Sequence, residues 1–210
     1  MGLFITLEGV EGCGKSTQSR LLKERLDALA CPVLLTHEPG VTPLGEEITR
    51  LLKWADNVPI SPEAELLLFN AARAQLVTDI VQPALAEGTV VICDRYADST
   101  TAYQGYGRQL DMGMVDRAND IGTLGLFPDR TFLLDIPVEE GMRRKKNDKA
   151  DRFEAESIEF HRRVREGFLE LAADDPERWV IIDASLPQTD IFEIMWRNVS
   201  DLLTLGEFES

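Results

Sequence analysis

The nine residues Gly9-Val10-Glu11-Gly12-Cys13-Gly14-Lys15-Ser16-Thr17 constrain this chain more than any other stretch. They set a glycine, four variable positions and then Gly-Lys-Ser between an apolar run at 3–7 and a helix-like pattern at 17–26. Glycines permit backbone angles that turn successive N–H groups toward one centre. The helix that follows adds its unpaired N–H groups and the positive end of its dipole. Lys15 supplies a charge that reaches terminal phosphates, and Ser16 a hydroxyl that can ligate Mg²⁺. A strand, a glycine loop and a helix in this order form a site for a nucleoside triphosphate.

Five short runs, 4–7, 33–36, 90–93, 131–134 and 179–182, are apolar without clean alternation. Strands covered on both faces have that pattern. Helical periodicity separates them, which predicts a parallel sheet with right-handed crossovers and one α/β domain over 1–210. Acidic residues outnumber basic ones, 37 to 22, for a net charge of −15. That balance excludes broad binding to nucleic acid or to an anionic membrane surface, but not a nucleotide site with local positive charge. No apolar run reaches the length of a membrane span, and no secretory signal is evident, so the expected location is the cytoplasm. Cys13, Cys31 and Cys93 sit in three different elements, without ligand spacing.

Candidate functional residues cluster where the runs end, the edge at which ligands of open α/β sheets gather. Glu38 and Pro39 lie in Thr36-His37-Glu38-Pro39-Gly40, which a plain turn explains equally well. A helix is predicted over 62–87, kinked or divided at Pro83. Its Phe69 and Arg73 stand four apart and share a face, suited either to holding a base or simply to a core ring beside a solvated arginine. Asp94-Arg95-Tyr96 closes the third run; Asp94 suits Mg²⁺ or its water shell, and Arg95 a phosphate. Ser99, Thr100, Tyr103 and Gln104 suit a polar base and sugar, or form a solvated loop. Residues 138–154 are the most basic segment, either a solvated face or a lid spanning about 141–153. His161, on a helix over 155–173, is expected to be solvated.

In combination these pieces closely resemble the bacterial thymidylate kinase family. The likeness runs from the first strand to the fifth. It rests on Gly-x-Glu-Gly-x-Gly-Lys-Ser-Thr at 9–17, residues 36–40, Ala71-Ala72-Arg73-Ala74-Gln75-Leu76, Pro83-Ala84-Leu85-Ala86, Asp94-Arg95-Tyr96, Ala102-Tyr103-Gln104-Gly105 and Asp151-Arg152-Phe153-Glu154. The resemblance implies a three-layer P-loop kinase fold, strand order 2-3-1-4-5, and transfer of the ATP γ-phosphoryl to dTMP with Mg²⁺. It also implies a homodimer. By position, Lys15, Arg95 and Arg144 would be catalytic, and residues 9–17 would hold ATP. Glu11, Glu38, Pro39, Phe69, Arg73, Arg95, Ser99, Thr100, Tyr103 and Gln104 would hold dTMP. In detail, Glu11 would face the 3′-hydroxyl, Phe69 stack on thymine, Arg73 donate to its O4 and Tyr103 crowd the 2′ position.

Two departures from the family pattern stand out. The second lid arginine is missing, leaving Lys145, Lys146 or Lys149 to substitute as point charges that cannot fork bidentately. His37 and Val41 replace the family's arginine and second glycine after the second strand. His37 can hold a phosphate only as imidazolium, so dTMP affinity is expected to weaken above neutral pH. The rival readings are a kinase for another monophosphate or a nucleoside, a GTPase switch, and a regulator that binds ATP without an acceptor. A guanine-specific switch needs Asn-Lys-x-Asp, which Asn147-Asp148-Lys149-Ala150 does not match.

Overall fold

A computed structural model describes residues 2–55, 58–145 and 151–207. The apolar runs form β1 (Phe4–Glu8), β2 (Val33–His37), β3 (Val90–Asp94), β4 (Arg130–Asp135) and β5 (Trp179–Asp183). They make one parallel sheet in the order β2-β3-β1-β4-β5, as expected. Each strand runs one residue past its apolar stretch, to Glu8, His37, Asp94, Asp135 and Asp183. A charged or polar last rung is invisible to an apolar pattern, and here it places ionisable groups along the edge where ligands bind.

Around the sheet lie α1 (Lys15–Ala28), α2 (Pro43–Trp54), α3 (Pro62–Leu76), α4 (Gln82–Ala86), α5 (Ala97–Thr100), α6 (Met112–Thr123), α7 (Val138–Arg144), α8 (Ile158–Asp174) and α9 (Gln188–Glu207). Local chemistry sets several starts. Thr42, Ser61, Asp111 and Ser157 each accept a hydrogen bond from a first-turn N–H, and Pro43 and Pro62 occupy opening positions that need no donor. Alternation along the strands splits the core in two. Ile5, Leu7 and Ile92 share one cluster with Leu22 and Leu26 of α1, while Phe4, Val91 and Cys93 share another with Leu76, Val77 and Val81.

Two expectations change. Pro83 does not break its helix: a π-helical turn, Val77–Val81, shifts the hydrogen-bond register just before it, and α4 continues with the proline in its first turn. Residues 97–107 are not a solvated loop but α5 followed by a π-helical segment, Thr101–Gly107, whose Thr101–Gly105 side is buried.

Val41 has φ +71°, a left-handed conformation that a β-branched residue adopts at a cost. That strain exceeds the backbone entropy a glycine would add to the unfolded chain. Val41→Gly is therefore expected to stabilise the fold by about 1 kcal/mol, raising the melting temperature by roughly 2–4 °C. A melting temperature that stays level or falls would count against strain at this turn.

Candidate active site

The glycine loop is built to leave its amides free. Gly14 caps α1 with φ +101° and has no side chain to cap it, so the capping position itself does not compete with an anion for the helix N-terminus. Gly12 is needed for a different reason: a Cβ there would lie 2.1 Å from the carbonyl oxygen of Gly141, and one on Gly141 would lie 2.3 Å from that of Glu11. The lid-side helix α7 thus rests directly on the loop. Lys15 is buried, its Nζ donating to the carbonyls of Gly9 and Val10 at 3.0 Å each. The Ser16 hydroxyl donates to Asp94 Oδ2 at 2.6 Å. A hydroxyl and a carboxylate side by side at the loop form a hard-oxygen pair that fits Mg²⁺. Among the described residues no cluster of three metal-ligating side chains exists, so such an ion would draw its other ligands from phosphate and water.

Two pockets meet at this loop. One, with about 1010 Å³ of empty space, is lined by the loop, Ser16, Asp94, His37, Arg144 and Lys145. The other, about 460 Å³, lies under Phe69, Arg73, Ser99, Tyr103, Gln104 and Phe153. Glu11, Glu38, Lys53 and Arg95 line both. At the junction Arg95 Nη2 contacts Glu11 Oε1 at 2.5 Å. The same guanidinium donates to the Gly9 carbonyl at 3.0 Å, Ser99 Oγ at 3.1 Å and the Tyr103 hydroxyl at 3.2 Å, and lies 5.1 Å over the Tyr103 ring. Burial opposes ionisation of Glu11, but Arg95, Lys15, Lys145 and Lys53 outweigh it and hold the carboxyl well below the usual carboxylate range.

Arg73 anchors the second pocket and is only 1% exposed. Its Nε donates to Glu38 at 2.9 Å, Nη1 to Asn70 and Asn119, and Nη2 to the Tyr96 carbonyl and Thr100. All the donors of the guanidinium are therefore engaged. It is no solvated arginine beside a core ring: a thymine oxygen would have to displace one of these partners. Glu38 keeps one buried oxygen, Oε1, without a hydrogen-bond partner, and burial raises its pKa against the pull of Arg73. Phe69 packs on Phe153 with centroids 5.5 Å apart. Gln104 Nε2 donates to Glu65 Oε1 at 2.8 Å, and Arg108 and Arg152 bind the same carboxylate.

Several site residues lay beyond sequence reasoning. Glu65, Phe69 and Arg73 follow one another at four-residue steps, a stripe that would have disclosed Glu65. Glu8 ends β1 fully buried, accepting from the Tyr96 N–H at 2.7 Å and from Ser99 Oγ at 2.5 Å. Burial, reinforced by Asp98, raises its pKa to about 8. Phe153 and Lys53 carried no separate signal.

Other expected residues sit differently. Arg144 is on the edge of the larger pocket but is held by Glu140 at 3.1 Å and the Ala184 carbonyl at 3.0 Å. Arg152 turns outward to Glu65. Lys145 reaches the loop, bridging Glu11 at 3.4 Å and Glu154; Lys146 and Lys149 lie outside the described residues. His37 faces the larger pocket rather than the one under Phe69. His161 is not solvated. It is 2% exposed against Phe160, its Nε2 has no hydrogen-bond partner among the described residues, and burial lowers its pKa and keeps it neutral.

A sequence model described as thymidylate kinase matches residues 7–194. The chain belongs to the thymidylate kinase family. It is 51% identical over 203 residues to the thymidylate kinase of Dehalococcoides mccartyi strain CBDB1, covering 97% of this chain and 98% of that one. It is 47% identical over 207 residues to that of Nostoc sp. strain PCC 7120, covering 97% and 96%. The crystal structure of thymidylate kinase from Ehrlichia chaffeensis superposes with a TM-score of 0.77 at 35% identity, covering 94% of this chain and 98% of that one. The fold is accordingly that of a P-loop kinase.

Two measurements follow from the buried carboxylates. Glu65→Ala would leave Gln104, Arg108 and Arg152 without their shared acceptor and is expected to cost about 3–5 kcal/mol, read by denaturant unfolding. Because folding raises Glu8 from 4.5 to about 8, its contribution to stability is complete below the lower value and lost as pH rises through the upper one. The fall in melting temperature between about pH 5 and pH 8.5 should be shallower in Glu8→Gln, and an unchanged slope would refute the shifted pKa.

Proposed function

We propose that this kinase transfers the γ-phosphoryl of ATP to the 5′-phosphate of dTMP, giving ADP and dTDP for dTTP synthesis. The observation that carries the reading is the Glu11–Arg95 contact of 2.5 Å at the junction of the two pockets, between the glycine loop and the pocket under Phe69 and Arg73. ATP occupies the larger pocket, its phosphates on the loop amides and Lys15, which exchanges the Gly9 and Val10 carbonyls for phosphate oxygens. Ser16 and Asp94 would hold Mg²⁺, which would supply neutralisation of phosphate charge.

In the smaller pocket dTMP lies with thymine against Phe69 and its phosphate on Arg95, which gives up Glu11 to take it. Freed from Arg95, the Glu11 carboxylate accepts from the 3′-hydroxyl. Arg73 exchanges one protein partner for thymine O4, while Pro39, Thr100 and Gln104 shape the rest of the base site. Tyr103, fixed by Arg95 and Glu11, closes the 2′ side against ribonucleotides. The chemistry is positioning and charge neutralisation. The lid, about 141–153, supplies Arg144 and Lys145 to the transferring group and excludes water. Lys145 is the described lysine nearest the role of the missing arginine, since it already meets the loop at Glu11.

The kinase works in the cytoplasm as a homodimer; among the described residues no helix could cross a membrane. Leu67 on α3 and Met114 and Ile121 on α6, helices that pack together, are exposed apolar side chains suited to a partner subunit. The test couples ADP release to a panel of dTMP, dUMP, dCMP and the ribonucleotide TMP. Turnover should be fastest with dTMP, and dCMP, which offers Arg73 a donor instead of an acceptor, should be poorer by roughly a hundredfold or more. Lys15→Ala and Arg95→Ala should each lose about three orders of magnitude in kcat/KM. Equal use of dCMP, or near-parental turnover by either variant, would defeat the assignment.

A further inference from the structure

Arg95 is held in an unusual backbone state by a residue that lines neither of the two pockets. Its φ is +71°, the left-handed region, directly after the end of β3. A non-glycine residue stays there only when its neighbours fix it. The fixing group is Glu8, the last residue of β1, which is 0% exposed. Alternation along β1 sends Thr6 and Glu8 to the sheet face opposite Ile5 and Leu7, where Ser99 of α5 meets Glu8. One Glu8 oxygen accepts the N–H of Tyr96, the residue after Arg95, at 2.7 Å. The other accepts the Ser99 hydroxyl at 2.5 Å, and that hydroxyl oxygen in turn accepts Arg95 Nη1 at 3.1 Å. The Arg95 N–H itself is tied to the Leu7 carbonyl, one residue before Glu8, at 3.0 Å.

We infer that Glu8 is a positioning residue for phosphoryl transfer, holding the Arg95 main chain through Tyr96 and the Arg95 guanidinium through Ser99, so that the guanidinium stays aimed at the acceptor phosphate when Glu11 lets go. Glu11 and Glu8 thereby divide two tasks. Glu11 lies on the pocket wall and exchanges with ligand, whereas Glu8 lines neither pocket and keeps its partners throughout the cycle. A carboxyl group serves here in either protonation state. One oxygen continues to accept from the Tyr96 N–H, and the other either accepts from Ser99 or donates to it. An apolar side chain of the same length can do neither, and it leaves the buried Tyr96 N–H unpaired.

This inference rests on the dTMP kinase reading, and the experiment separates the two. In the full chain, Glu8→Met removes both contacts at similar volume, and Glu8→Gln keeps an acceptor for Tyr96 and a polar group for Ser99. Kinetics with each substrate varied in turn should show KM for dTMP raised at least tenfold in Glu8→Met, kcat lowered, and KM for ATP within twofold of the parent. Glu8→Gln should recover most of the loss. Should Glu8→Met fail to fold by thermal melt, Ser99→Ala carries the test, since it cuts the side-chain leg alone; a several-fold rise in KM for dTMP, with KM for ATP unchanged, is expected. A folded Glu8→Met, or failing that Ser99→Ala, with parental KM for dTMP overturns the inference, as do equal losses for both substrates. A parent chain that does not phosphorylate dTMP overturns the functional reading instead.

Discussion

The contact between Glu11 and Arg95 is the interaction on which the site depends. It joins the glycine loop after β1 to the turn after β3, two neighbouring strands of the sheet. A carboxylate and a guanidinium at 2.5 Å satisfy each other. An arginine without an acceptor in this half-buried crevice would be costly, and so would an unpaired carboxylate. In the proposed reaction this pair would open, the guanidinium passing from the carboxylate to an acceptor phosphate, a partner it can likewise fork to bidentately. Lys15 on the loop carbonyls and Arg73 on its ring of partners follow the same design. Each of these cationic groups is neutralised by protein oxygens, and under the proposed function each would exchange one of them for a ligand oxygen.

What makes such exchange workable is that the scaffold behind it does not move with it. Parallel pairing puts Leu7, Asp94 and His37 level at one sheet edge. Gly12 and Gly141 let the backbone of α7 approach that of the loop closely. Glu8 and Glu65 are buried carboxylates that gather donors from several segments, including Tyr96, Ser99 and Gln104 of the smaller pocket. The ligand-facing layer can then trade partners while the layer below retains its own.

Much of this was legible in the sequence because it depends on local chemistry. The glycine loop, Asp94-Arg95 and the five apolar runs announce themselves through spacing and composition alone. The partners of Arg73 and Gln104 did not, because they come from residues 35 and 39 positions away whose meeting depends on the crossovers. Glu8 was hidden by its place at the end of an apolar run, and His161 by the charged residues that surround it on its helix. Ser99 to Gln104 looked like a loop because the polar residues that line a pocket resemble those that face water. Periodicity reports that a residue is polar, but not whether its partner is solvent, another side chain or a ligand.

The most direct measurement is a crystal structure of the chain with dTMP bound. The exchange mechanism predicts that Arg95 will lie within hydrogen-bond distance of the dTMP phosphate, that its contact with Glu11 will be broken, and that its link through Ser99 to Glu8 will be unchanged. A complex in which Arg95 still holds Glu11 while the phosphate rests on other residues would contradict it.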